Sequence, residues 1–217
     1  MSTVPATFPR HALGWPAGSV RAILAFGVLG YLWLLVLSPG GENKPLLERQ
    51  PDAARAFVFL QLLMMLILAH FFAAHGQSIG REFSRFSPLG LPSGSIRFLL
   101  LGGYLGLIYY VYHNQILFNF DLPPMRNLLT ILASLAIAFV LGDVLTRLME
   151  RLTGGVLPAW FQDILAWFSL VGLTLLGVVV LVRLVINTSL PVENLIPLEN
   201  IEAVLAGIIS FYYGARS

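Results

Sequence analysis

The chain has 217 residues, of which 57% are hydrophobic and 11% charged, with no cysteine and a formal net charge of +2; its mean hydropathy is +0.81. Soluble domains carry roughly 25% charged residues, so an ordinary soluble protein is excluded and an all-α, polytopic integral membrane protein is expected, a single membrane domain over residues 1–217. Without cysteine there are no disulfides, thiolate metal sites or cysteine nucleophiles, and the small, dispersed positive charge argues against nucleic acid as a partner.

The first 18 residues contain no apolar run leading to a small-residue cleavage site, so the first helix is expected to be retained. Apolar runs then predict about six transmembrane helices: Ser19–Leu37, Ala54–Ala74, Ser95–Leu117, Met125–Met149, Trp160–Ile186 and a shorter Leu198–Tyr213. A straight crossing takes about 20 residues, so the sixth is the one that must tilt little, thin the bilayer or re-enter.

The first and third runs open on nearly the same phrase, "LGWPAGSVRAILAFGVLG" from Leu13 and "LGLPSGSIRFLLLGGYLG" from Leu89. Most shared positions are Gly, Pro, Ser or Arg, which apolar bias alone does not repeat. The reading is a duplicated helical hairpin, residues 13–84 and 89–153, with a divergent third copy over 155–217. In that copy Pro158, Leu165 and Gly172 align with Pro92, Leu99 and Gly106, and Asp163 takes the arginine position.

Within the repeated phrase, Ser19 and Ser95 are expected to cap their helices. Arg21 and Arg97 then sit in a first turn, where the helix dipole disfavours a cation, which calls for lipid phosphate, neighbouring carbonyls or an acidic partner. Asp163 is the acidic partner expected for Arg97. Gly27, Gly30, Gly102, Gly103, Gly106 and Gly172 have the spacing of close helix packing, while Gly76 and Gly214 are read as left-handed helix C-caps.

Few ionisable residues fall inside the apolar runs. Asp143 is expected to pair with Arg147 four residues on, and Arg183 to snorkel outward. His70 is expected near the cytoplasmic end of the second span and His113 near the outer end of the third, too far apart to share one haem. No cofactor is expected, a single-histidine pigment at His70 being the alternative.

With the N-terminus inside, Arg10, Arg21, Arg81, Arg85, Arg97, Arg147, Arg151 and Arg216 fall on the cytoplasmic side. Lys44, Arg49, Arg55, Arg126 and Arg183 fall outside, which satisfies the positive-inside rule with both termini cytoplasmic. HExxH and Walker sequences are missing. The expectation is therefore a non-enzymatic structural or accessory subunit of an assembly in a bacterial inner membrane, touching lipid and either other membrane proteins or copies of itself. The alternatives are a small channel or transporter formed by an oligomer, and a holin-like or lipid-interacting protein.

Overall fold

The computed structural model describes residues 12–16, 18–38, 51–73, 89, 94–116, 125–155, 157–190, 196 and 198–216, and among these it is entirely helical, without strands. A short 3-10 turn, Ala12–Gly14, precedes α1 (Ser19–Leu37), α2 (Pro51–Ala73), α3 (Ser95–His113), α4 (Met125–Leu152), α5 (Ala159–Leu181) and α6 (Glu199–Gly214). In hydrocarbon every backbone N–H and C=O needs an internal partner, which makes the helix the form these apolar runs adopt. Five helical stretches, Ser19–Leu37, Ala53–Ala73, Ser95–His113, Leu129–Leu152 and Ala159–Asn187, are long and apolar enough to cross a membrane, and Ile201–Gly214 is a shorter apolar one.

α1 and α6 occupy the centre. α1 packs on α2, α3 and α5, and α6 packs on α2, α4 and α5. The middle predicted hairpin is splayed, because α3 lies on α1 whereas α4 lies on α6, with α2 touching both. Its helices are joined through an 11-residue stretch, 114–124, long enough to let them part. The core runs through the centre, with Leu24, Leu32, Leu35, Leu63, Met64, Ile67, Ala206 and Ile209 fully buried. The outer faces of α3, α4 and α5 are apolar and exposed, Phe98, Leu129, Trp167 and Phe168 among them, as a surface that meets lipid or another membrane helix requires.

Glycines set the closest approaches, though not all of those expected. A β-carbon on Gly27 would lie 2.6 Å from Leu173, one on Gly103 2.8 Å from Leu29, and one on Gly172 3.1 Å from Ile208. Gly106 meets Trp33 at an ordinary 3.6 Å, and Gly30 and Gly102 have nothing within 4 Å. Those last two therefore mark no packing face within the chain; they lie on the outward side of α1 and α3.

The tightest seam is one the sequence reading passed over. A β-carbon on Gly142 of α4 would collide with the carbonyl oxygen of Phe211, and one on Gly214 of α6 with that of Phe139. Gly214 is thus not a left-handed cap: it is the last residue of α6, followed by Ala215 at φ −66°, and its missing side chain admits the α4 backbone. Ser210 donates to the Leu135 carbonyl at 2.7 Å and Thr146 to the Ala215 carbonyl at 3.2 Å, tying the same seam with hydrogen bonds. Gly76 lies outside the described residues.

Candidate functional site

The repeated phrase builds one polar end of the bundle. Leu13 and Leu89 hold φ of 59° and 57°, and Gly18 and Gly94 hold φ of 82° and 89°, so the two copies share an unusual backbone as well as residue types. Gly18 and Gly94 are the N-caps, in the left-handed region that glycine enters most easily. Ser19 and Ser95 are the first helical residues, so neither caps as expected. The Ser19 hydroxyl instead accepts the Leu89 amide at 3.2 Å, and the Asp163 carboxylate accepts the Leu13 amide at 2.6 Å. Each leucine's turn presents its N–H to a side chain near the start of a neighbouring helix. Asp163 is therefore engaged by the α1 lead-in, and the expected charge pair with Arg97 is not the contact it makes.

Arg21, on α1, donates from Nη1 to Nε2 of His70 at 3.2 Å, and its carbonyl accepts the Tyr213 hydroxyl at 2.6 Å. The His70 ring is boxed by Phe71, Phe139 and Tyr213, with centroids 6.3, 6.4 and 5.3 Å away. Its Nε2 is thus turned to the guanidinium. Arg216 follows α6 and donates to Gln162 Oε1 of α5 at 3.2 Å. On the same end, exposed Arg147 pairs with Asp143 at 2.9 Å. The N-termini of α1, α3 and α5 and the C-termini of α2, α4 and α6 consequently share this end of the bundle.

Three of these residues were not legible as a group, because Arg21, His70 and Tyr213 are far apart in the chain and each has a bland reading alone.

The other end holds a buried charge pair. Arg183 is 1% exposed, and Nε and Nη2 bind the two carboxylate oxygens of Glu202 at 2.6 and 2.9 Å. This corrects the snorkelling expectation: Glu202, on the first turn of α6, comes to the arginine inside the protein. Arg183 stands in a π-helical widening, Val182–Asn187, that continues α5. Such turns carry one extra residue and often sit at functional sites. Asn187, in the same widened turn, clasps Ile196 through both its amide oxygen and nitrogen at 3.3 and 3.4 Å. A wide turn, a two-pronged ion pair and an asparagine clasp together hold the α5–α6 connection.

No family model, curated protein or solved structure matches the chain. Among the described residues no cluster of three or more histidine, aspartate or glutamate side chains is placed to hold a metal ion. The chemistry on offer is cationic hydrogen bonding at one end and a neutralised ion pair at the other.

Proposed function

We propose that the chain is a non-catalytic subunit of a larger assembly in a bacterial inner membrane, built from duplicated helical hairpins and crossing six times with both ends in the cytoplasm. The duplication rests on the matched backbone of the two lead-in turns and on a matched packing position: Gly27 of α1 receives Leu173 of α5, and Gly103, its repeat equivalent on α3, receives Leu29 of α1. A row of leading helices, α5 then α1 then α3, is assembled by one glycine position used twice.

The observation that carries the subunit reading is how this row ends. On α1, Leu29 seats α3, and Trp33 donates from Nε1 to the Gly103 carbonyl at 3.2 Å. Their repeat equivalents on α3 are Leu105 and Tyr109, which are 54% and 68% exposed. A face that docks a helix in the first copy is uncovered in the second, and a helix of another subunit fits there.

A photo-crosslinking residue replacing Tyr109, compared with one replacing exposed Val185 in the π-helical turn after α5, tests this in native membranes, together with the intact mass of the gently purified protein. The expected result is a discrete adduct of defined mass from position 109 only, and a native mass above one chain. A single-chain mass with no adduct preference between the two positions would contradict the subunit reading.

A further inference from the structure

A cavity of about 180 Å³ opens beside the N-terminus of α1, lined by Pro16, Ser19, Arg21, Tyr212 and Arg216 among others. Two guanidiniums from opposite ends of the chain converge on it. Tyr212, 3% exposed, lines the cavity beside Arg216. Arg21 and Arg216 carry like charges and line the same cavity. The nearby carboxylate, Asp163, is turned to the Leu13 amide at 2.6 Å. α1 begins with no acidic residue in its first turn and no side-chain cap, so its dipole adds to the positive field.

Two cationic side chains on one cavity repel each other, and an anion between them offsets that repulsion. A phosphate group suits the site on chemical grounds. Guanidiniums bind its oxygens in planar, charge-assisted pairs, and a helix N-terminus aimed at the same space favours it further. A carboxylate ligand offers two oxygens and fits one guanidinium, whereas phosphate can serve two at once.

We propose that the cavity between Arg21 and Arg216 is a binding site for a phosphate group. It is independent of the subunit reading, since it lies at the end of α1 and not on the open face of α3. Two sources share this chemistry: the headgroup of an anionic phospholipid, reaching in from the membrane rim, and a soluble phosphate compound arriving from the aqueous side.

The test uses the full-length protein, stripped of lipid in detergent and followed by native mass spectrometry and thermal unfolding. The probes are short-chain phosphatidylglycerol in one arm and inorganic phosphate in the other. Saturable binding of one phosphate group per chain is expected, with a raised melting temperature. Each of Arg21→Gln and Arg216→Gln is expected to weaken it about tenfold, as losing a charge-assisted hydrogen bond does. Arg147→Gln removes equal charge at the same end outside the cavity and is expected to leave binding unchanged.

Arg216 follows the last helical turn, so its variant keeps the test informative even if Arg21→Gln fails to fold. Binding of phosphatidylglycerol alone identifies the lipid source, and binding of inorganic phosphate identifies a soluble one. Binding in neither arm, or binding that Arg216→Gln and Arg147→Gln weaken equally, would overturn the proposal.

Discussion

Glu202→Ala is expected to lower stability by about 3–5 kcal/mol, the usual result of stripping one partner from a buried ion pair. Arg183 is 1% exposed and already has one nitrogen, Nη1, without a hydrogen-bond partner. Removing the carboxylate would leave a whole cation in an apolar surrounding. Replacing both partners, Arg183→Met with Glu202→Leu, is expected to recover most of the loss, because the damage comes from the uncompensated charge and not from the absent attraction. Denaturant titration in detergent micelles reads both variants. A Glu202→Ala protein within about 1 kcal/mol of the parent, as for an exposed pair, would mean that water reaches Arg183.

Gly214→Ala and Gly142→Ala carry the second large effect. Their β-carbons would collide with the carbonyl oxygens of Phe139 and Phe211. A leucine tip can rotate away from an intruding methyl group, but a helix carbonyl is fixed by its own hydrogen bond, so α4 and α6 must move apart. Overpacking of this kind costs about 1–3 kcal/mol or more. Separation would also stretch the Ser210 and Thr146 hydrogen bonds that cross the seam at 2.7 and 3.2 Å. Gly102→Ala, with nothing within 4 Å, is the matched control and is expected to be neutral. The same unfolding titration compares the three, and equal stability of all of them would remove the seam from the account.

Much of this was written in residue type. Helices follow from unbroken apolar runs, and the repeat was legible because its shared residues are Gly, Pro, Ser and Arg. What escaped depends on which helix meets which. Glu202 reads as a loop-side acid until the π-helical turn and the start of α6 bring it to Arg183, 19 residues earlier. Gly207, Ser210 and Gly214 form a small-residue stripe that could have been seen in the sequence, but the leading helices drew the glycine reading to themselves. The Arg97–Asp163 pair failed for a related reason: equivalent positions in a repeat need not face each other, and Asp163 meets the lead-in turn of a neighbour instead. Splaying of α3 from α4 is invisible in sequence, because an 11-residue connection permits either arrangement.

The proposed topology requires α6 to cross fully and return the chain to its starting side. α6 runs from Glu202 beside Arg183 to Tyr213 beside Arg21, the two polar ends of the bundle. The chain contains no cysteine, so single cysteines report topology without background. Ser189→Cys, after α5, and Ser217→Cys, after α6, can each be treated with a membrane-impermeant maleimide before and after permeabilising cells. Position 189 is expected to label in intact cells, and position 217 only after permeabilisation. Labelling of both positions in intact cells would place the two ends of α6 on one side and contradict the proposed topology.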